Sequence, residues 1–318
     1  MAREGLTGLT GTAGQSRGAV SIWMQAFRVR SLIISSVSVF AGAAVATYAG
    51  HFNRVPFLLA WLGAVTVQAG TNLTNVHYNY KAKGPSGSFQ PDPQGSSAVI
   101  QLGLLRPEQV RQGGVIAFAV AAVVGLLLVW MCGWKILLMG LPGMAAGYFY
   151  AGPPFKLGRA ALGVITVFVF MGPVMVGGTY FAMALASSNM ALLVSMPIGL
   201  LAAGIMHTND LRDLSSDIEN RKHTLSTLLG RRGANCLLAG MDVLAYSVVI
   251  AAVIGGWLPW PTLLVLISVP RAITQLRMVF HETEVAKLNA AWFCGIQLHL
   301  EFGVALIVGL LVAALLQK

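Results

Sequence analysis

The chain has 318 residues, of which 56% are hydrophobic and only 10% are charged, and its mean hydropathy is +0.72. Soluble domains carry about 25% charged residues, so this composition excludes an ordinary soluble protein. Apolar runs of about 20 residues, the length that crosses a bilayer, recur along the chain and predict an all-α polytopic membrane protein. The formal net charge of +10 suggests either nucleic acid or the charge pattern of a membrane protein.

The chain order predicts a short tail and one membrane domain. Residues 1–20 are rich in glycine, serine and threonine, and we expect them to be disordered and not a cleaved signal peptide. Residues 21–318 are expected to form a single domain. The predicted membrane spans are nine in number: 22–48, 55–79, 108–131, 134–150, 160–186, 189–207, 234–256, 259–279 and 288–316.

The basic residues predict the orientation of these spans. With the N-terminus in the cytoplasm, 18 of the 21 lysines and arginines fall on the cytoplasmic side or at helix ends there. This asymmetry follows the positive-inside rule and predicts a cytoplasmic N-terminus and an external C-terminus. It also accounts for most of the net charge without nucleic acid. The long polar connections lie on the same side, so we expect the active face of this integral inner- or plasma-membrane protein to be cytoplasmic.

A polar segment, "GTNLTNVHYNYKAKG" (70–84), ends the second predicted span. Polar groups at this depth are costly in a membrane and usually functional. The segment contains asparagines, a histidine, tyrosines and lysines, but no carboxylate.

A second polar segment, "HTNDLRDLSSDIENRKHTLSTLLG" (207–230), follows the sixth span. Asp210, Asp213 and Asp217 are spaced by three and four residues, which on one helix places them on one face. Such carboxylates repel each other unless a cation lies among them, and their oxygens suit Mg²⁺. The sequence therefore predicts a magnesium site here, with Arg212 and Lys222 holding phosphate charge. The alternative is a solvated acidic helix end.

The second segment resembles the second aspartate-rich motif of the UbiA superfamily of intramembrane prenyltransferases, and is most similar to the branch that prenylates 1,4-dihydroxy-2-naphthoate. Three other segments resemble that family: "FRVRSLIISS", in which Arg28 matches the family arginine, "GSSAVIQLGLLRPEQV" and "YFYAGPPFKLGRAALG". The counterparts within the second motif are Asn209, Arg212, Asp213, Asp217, Lys222, Thr224, Leu225, Leu229 and Gly230.

The resemblance implies a fold and an activity. Nine helices would surround a central cavity that opens to membrane lipid, and Mg²⁺ ions would bind a prenyl diphosphate whose prenyl group passes to a small aromatic quinone precursor. It implies catalytic roles for Asp210, Asp213, Asp217 and Tyr150, the three aspartates also being metal ligands. The diphosphate-binding residues it implies are Arg28, Asn72, Asn75, Lys81, Lys156, Arg212 and Lys222. It does not fix the oligomeric state.

Two of these assignments have ordinary alternatives. Tyr150 could instead belong to an interfacial aromatic belt, and Lys156 could simply follow the positive-inside rule. Asp242 and Glu301 lie within predicted spans, where a charged side chain costs free energy. With His299 nearby in the sequence, we expect a buried polar pair or a water-lined pocket there.

The first motif departs from the family pattern. The family has aspartates where this chain has Val76 and Asn79, so one of two metal sites is expected to be weak or absent; His77 and Asn79 are candidate contacts. Three hypotheses follow. The enzyme works with metal at the second motif while basic residues neutralise the first side; or it uses a different donor or chemistry; or it is a non-catalytic protein that binds an isoprenoid or quinone.

Overall fold

The computed structural model describes residues 18–83 and 98–317, and all regular structure in these ranges is helical apart from one isolated bridge. The predicted tail over residues 1–17 lies outside the described residues, and the first helix begins at Ala19, inside the predicted tail. The helices are α1 (Ala19–Phe27), α2 (Val29–Tyr48), α3 (Arg54–Lys83), α4 (Ala98–Gln101), α5 (Pro107–Cys132), α6 (Leu137–Phe149), α7 (Leu162–Val169), α8 (Met175–Ala184), α9 (Asn189–Arg212), α10 (Leu214–Glu219), α11 (Leu225–Ile254), α12 (Val269–His281) and α13 (Val285–Leu316).

Seven helical segments of the described chain are long and apolar enough to cross a membrane. The second and fourth predicted spans are not among them. Helix α3 has 30 residues but ends in the polar segment, and α6 has only 13. The count of nine and the orientation therefore stay predictions, whereas the all-helical membrane architecture is confirmed.

Several predicted spans are interrupted. Arg28 adopts a left-handed conformation with φ of 53° and divides the first span into α1 and α2. A π-helical turn, Phe170–Val174, joins α7 to α8. A 3₁₀ helix, Trp260–Ser268, leads into α12. Such π-turns are frequent at functional sites, and this one lies against the cavity described below.

The prediction that one helix carries Asp210, Asp213 and Asp217 is wrong. Asp210 lies in the last turn of α9, Asp213 is the residue between α9 and α10, and Asp217 lies in α10. The backbone leaves the helical region at Asp213, with φ of −89° and ψ of 6°. The break turns the chain across the end of α9, so the three side chains reach the same space from two helices.

Of the polar residues expected to form a buried pair or a water-lined pocket, Glu301 and His299 do not pair with each other. Glu301 bonds to Arg271 of α12, and its side chain is 40% exposed. His299 is fully buried, and Asp242 is 3% exposed, with one carboxylate oxygen that finds no hydrogen-bond partner among the described residues. The sequence spacing of two residues on α13 points the two side chains in different directions, because a helix turns about 100° per residue.

The helices form one packed side and one hollow side. The largest apolar core joins α2, α8, α9 and the helices from α11 to α13, with Phe302 and Ile198 fully buried within it. On the other side, α3, α5, α6 and α7 to α9 enclose a large space. The dense core holds α9 in place against α11 and α13, and so fixes the position of the aspartates at its end.

Candidate active site

A large cavity of about 2040 Å³ runs through the hollow side of the described part of the chain. On α3 its lining extends from Ala60 to Ala82, which at 1.5 Å rise per residue gives a length of about 33 Å. That length matches the thickness of the hydrocarbon core of a bilayer, about 30 Å. The cavity is therefore long enough to hold an extended lipid chain.

Most of the cavity lining is apolar, and several glycines contribute to it. The lining from α5 and α6 includes Gly125, Gly140 and Gly143, and the lining from α7 and α8 includes Phe170 and Met171. A Cβ atom added at Gly125 or Gly140 would meet nothing within 4 Å. These glycines therefore leave open space in the cavity rather than allowing helices to pack closely.

One end of the cavity is polar and gathers nearly all the predicted site residues. Residues from α3, α6, α9, α10 and the connections around them meet there. The predicted site residues that line it are Arg28, Asn72, Asn75, Asn79, Lys81, Tyr150, Lys156, Asp210, Arg212, Asp213, Asp217 and Lys222. Only His77 is absent from the lining; its Nδ1 lies 3.2 Å from the carbonyl oxygen of Pro107.

Asp213 is held by its neighbour in a two-pronged ion pair. Arg212 donates from Nε and Nη2 to the two carboxylate oxygens of Asp213, both at 2.7 Å. Its Nη1 donates to Oδ1 of Asn289 on α13 at 3.0 Å. The bidentate geometry is the strong form of this interaction, and it orients both charges toward the cavity.

Asp217 is buried, with 2% exposure, and pairs with Lys222 at 2.5 Å. The backbone supports this pair, because the amide of Lys222 donates to the carbonyl of Asp217 at 2.9 Å. Burial raises the pKa of the Asp217 carboxyl, while the hydrogen bond and charge of Lys222 act in the opposite direction. The lysine therefore offsets part of the cost of keeping this carboxylate charged.

Asp210 is the carboxylate without a bonded cation. It is 7% exposed and accepts no hydrogen bond from the residues in 18–83 and 98–317. Within those ranges no three histidine, cysteine, aspartate or glutamate side chains are close enough to share an ion as they stand. A buried carboxylate that opens to a cavity beside two others fits a hard divalent cation such as Mg²⁺, provided Asp213 or Asp217 turns from its cationic partner.

The first polar segment contributes amides in place of acids. Asn79 donates to Asn75, and both line the cavity. Val76 is fully buried and packs in an apolar cluster with Leu73 and Val110, so it faces away from the cavity. Of the two departures from the family pattern, only Asn79 stands where a side chain can reach a ligand. The turn of α3 directs the side chain of Val76 into the protein.

The side chain of Asn72, which lines the cavity, is hydrogen-bonded to neighbouring protein groups. Its Nδ2 donates to the carbonyl of Phe27 at 2.7 Å and to Oγ of Ser31 at 2.6 Å, and its Oδ1 accepts from Gln68. These bonds tie α3 to the junction of α1 and α2. Arg28 lies in that junction, so Asn72 holds the arginine at the polar end of the cavity.

Tyr150 lies at the boundary between the polar and apolar parts. Its hydroxyl donates to Sδ of Met206 at 2.9 Å, and the ring lies against Gly158. A Cβ at position 158 would stand 2.7 Å from Cε1 of Tyr150. Tyr148, by contrast, pairs with the hydroxyl of Tyr78 at 3.1 Å and does not line the cavity. Tyr150 therefore lines the cavity, whereas Tyr148 packs against its neighbours.

Sequence reasoning missed the contribution of α13. Asn289, Trp292, Phe293 and Ile296 line the cavity near Arg212, and Asn289 orients the arginine. Asn289 lies near the start of an apolar helix, 77 residues from its partner, and no motif or spacing marks it.

Comparison with known proteins identifies the family of this chain. Residues 35–300 match the UbiA prenyltransferase family. The chain is 28% identical over 303 residues to the 1,4-dihydroxy-2-naphthoate octaprenyltransferase of Bacillus subtilis (strain 168), covering 95% of this chain and 96% of the relative. It is 25% identical to the 2-carboxy-1,4-naphthoquinone phytyltransferase of Synechocystis sp., covering 91% and 92%.

Solved structures agree on the fold. A UbiA homolog from Aeropyrum pernix K1 superposes with a TM-score of 0.68 at 18% identity, covering 88% of this chain and 98% of that one. A UbiA homolog from Archaeoglobus fulgidus bound to DMAPP and Mg²⁺ gives 0.56 at 14% identity, covering 91% and 99%. With most of its length matched in both sequence and fold, the chain belongs to the UbiA prenyltransferase family.

Proposed function

We propose that this integral membrane enzyme transfers a prenyl group from a prenyl diphosphate to a small aromatic acceptor of the quinone-precursor class. The observation that carries the proposal is a cavity about 33 Å long that has an acidic and basic cluster at one end and an apolar lining beyond it. The cluster suits a diphosphate and the cavity suits its isoprenoid tail. The names of the relatives, which act on naphthoate and naphthoquinone compounds, support an aromatic acceptor of that kind.

The diphosphate would bind among the cations at the polar end. Arg28, Lys156 and Lys222 line this end, and Arg212 lies beside them. A leaving diphosphate carries several negative charges, and positioned cations that stabilise this charge lower the barrier to its departure. Asn72 contributes by fixing the junction that carries Arg28, so its part is positioning.

We propose Mg²⁺ as the cofactor, with Asp210, Asp213 and Asp217 holding it. When bound, Mg²⁺ supplies positive charge that neutralises the leaving diphosphate. In the structure, Arg212 forms an ion pair with Asp213, and Lys222 forms one with Asp217. A divalent cation on those carboxylates would leave the two side chains available to hydrogen-bond the phosphate oxygens.

The acid-free wall of α3 supports an asymmetric site. Among the described residues of α3 that line the cavity are Asn75, Asn79 and Lys81. Their side chains can donate hydrogen bonds, but they supply no anionic ligand for a metal. A lysine can hold phosphate charge as a point charge. We therefore propose that metal binding rests on the second motif, while the first motif holds the diphosphate by hydrogen bonds and charge.

The apolar part of the cavity favours the bond-making step. The C1–O bond of the prenyl group breaks with its electron pair leaving on the diphosphate, and a ring carbon of the acceptor then bonds to C1 and loses a proton. The allylic cation must be shielded from water, and aromatic faces stabilise it. Tyr150 and Phe170 line the cavity and can serve in this way.

The basic residues at the polar end, among them Arg28, Lys81, Lys156, Arg212 and Lys222, support a cytoplasmic active face, because lysines and arginines gather on the cytoplasmic side of membrane proteins. The surrounding partner is membrane lipid.

The direct test uses the purified protein in lipid nanodiscs with radiolabelled prenyl diphosphates and 1,4-dihydroxy-2-naphthoate, with and without Mg²⁺. We expect a prenylated product and released diphosphate that both require Mg²⁺. If no diphosphate is released with any naphthoate or benzoate acceptor, the protein is a non-catalytic isoprenoid or quinone binder and the proposal fails.

A further inference from the structure

The outer surface of α12 and α13 carries an ion pair in the middle of two membrane spans. Nη2 of Arg271 lies 2.6 Å from Oε1 of Glu301, and Nε lies 3.1 Å from the same oxygen. The two spans are Trp260–His281 and Val285–Leu316. Arg271 is 11 residues from the start of the first and 10 from its end, while Glu301 is 16 and 15 residues from the ends of the second. Both charges therefore lie near the middle of the bilayer.

This pair faces outward. The side chains of Arg271 and Glu301 are 37% and 40% exposed, and neither lines the large cavity. Charged side chains within membrane spans almost always face the interior of the bundle or a water-filled cavity, and they pair with one another or with backbone carbonyls. Arg271 and Glu301 pair with each other but face neither the interior nor the cavity, and a contact with a second protein would shield this pair from lipid.

Further polar side chains extend the same surface. Thr274 on α12 and Gln297 on α13 are both exposed. Because α12 and α13 are antiparallel neighbours, the turn after Arg271 and the turn before Glu301 lie on the same side of the ion pair. Gln297 makes no side-chain hydrogen bond to residues in the described ranges. Lipid tails offer no hydrogen bonds, so this amide, unlike the paired Arg271 and Glu301, would lack a hydrogen-bond partner in a lipid-facing position.

We propose that this surface, formed by Arg271, Thr274, Gln297 and Glu301, is the contact between two copies of this chain. Two copies in one membrane have the same orientation, so a twofold axis between them runs along the membrane normal and residues of equal depth meet. Arg271 and Glu301 have equal depth and opposite charge, so each copy presents the complement of the other. Such a surface is self-complementary, as an isologous dimer requires.

The geometry allows the ion pairs to be shared across the dimer. Arg271 of one copy can bond the partner subunit's Glu301 while keeping its own, and the Gln297 amides can bond each other at the next turn. Polar side chains of this kind associate helices in membranes. A lipid headgroup does not fit as the occupant, because headgroups lie about 15 Å from the bilayer centre.

The test measures association in lipid vesicles. Two batches of the full-length chain, labelled at the C-terminus with donor and acceptor fluorophores, are reconstituted together over a range of protein-to-lipid ratios. We expect energy transfer that saturates as a dimer for the native chain. In the Arg271→Leu/Glu301→Leu variant, we expect the dissociation constant of the dimer to rise by about tenfold or more. The charge-swapped Arg271→Glu/Glu301→Arg variant should associate as the native chain does.

Two further variants keep the result decisive. Gln297→Leu removes an amide without an intramolecular bond, so it should weaken association without lowering the thermal midpoint of the monomer. Glu282→Gln/Lys287→Met removes an ion pair of 2.8 Å at the ends of α12 and α13 and is the matched control, expected to change nothing. A monomeric native chain, or unchanged association in both leucine variants, overturns the proposal. Capture of a different membrane protein by this surface, with no self-association, also overturns it.

Discussion

The ammonium of Lys222 lies 2.5 Å from the buried carboxylate of Asp217, so the second motif carries its own counter-charge at the polar end of the cavity. Asp217→Asn removes the anionic ligand but keeps the shape of the side chain. We expect kcat/KM for prenyl transfer to fall by about 100-fold or more, a loss comparable to removing one group that stabilises transition-state charge. Steady-state assays over a Mg²⁺ series measure this loss.

The control for this change is Glu108→Gln, an exposed acid in the first turn of α5 that does not line the cavity. It should alter kcat/KM by less than the assay error. An Asp217→Asn enzyme with native activity and native Mg²⁺ dependence would show that Asp217 is not a metal ligand.

The two departures in the first motif should behave differently when aspartate is introduced. Val76→Asp places a carboxyl group in an apolar cluster, and we expect it to lower the free energy of unfolding by about 3 kcal/mol or more. Asn79→Asp puts the carboxyl group at the exposed cavity wall, so its cost should stay below about 1 kcal/mol while Mg²⁺ affinity rises. Thermal unfolding with and without Mg²⁺ and a diphosphate analogue separates the two.

Equal destabilisation by both aspartates would contradict the assigned register of α3. Increased Mg²⁺ affinity in Val76→Asp but not in Asn79→Asp would contradict it as well.

The close approach of Gly158 to Tyr150 predicts that a single methyl group displaces the tyrosine. In Gly158→Ala the new Cβ would stand 2.7 Å from Cε1 of the ring, so the ring must move within the cavity. Because small misplacements of positioning groups are costly, we expect kcat to fall by about 10- to 100-fold with little change in the thermal midpoint. Single-turnover assays of prenyl transfer measure the effect.

Gly240→Ala on α11 is the matched control, since a Cβ there meets nothing within 4 Å. Tyr150→Phe tests the hydroxyl alone. If both Gly158→Ala and Tyr150→Phe keep native kcat, Tyr150 belongs to a packing layer and has no part in the reaction.

The open space beside Gly140 predicts that a larger side chain at this position limits the length of isoprenoid tail that the cavity can hold. Gly140→Leu adds a side chain where nothing lies within 4 Å, so it should fill the cavity without displacing the helices. We expect kcat/KM for long polyprenyl diphosphates to fall at least about tenfold, equivalent to about 1.4 kcal/mol, while that for dimethylallyl diphosphate is unchanged. Competition assays between donors of different length measure the ratio.

Gly240→Leu provides the same chemical change on α11 outside the cavity. An equal loss of activity with short and long donors in Gly140→Leu would mean that the substitution disturbs the catalytic end, and would contradict the assigned path of the tail.

The sequence by itself determined the class of protein and the chemistry at its centre. Long apolar runs, scarce charge and basic residues gathered at span ends follow from the thickness and low dielectric of a bilayer, so they can be read without coordinates. The sequence also indicates the charged residues of the site: the aspartates at 210, 213 and 217 and the cations at 212 and 222. Charged groups next to a membrane span are costly, so they usually have a function.

Only the tertiary structure decided how those residues are used. Three-residue and four-residue spacings suggested one helix, but the backbone break at Asp213 divides it. In the sequence, Val76 and Asn79 both stand where the family has aspartates. The packing of α3 against its neighbours buries Val76 and leaves Asn79 exposed. The bonds from Arg212 to Asn289 and from Arg271 to Glu301 join residues 77 and 30 positions apart. Contacts at such separations depend on how helices pack against one another, which local periodicity does not encode.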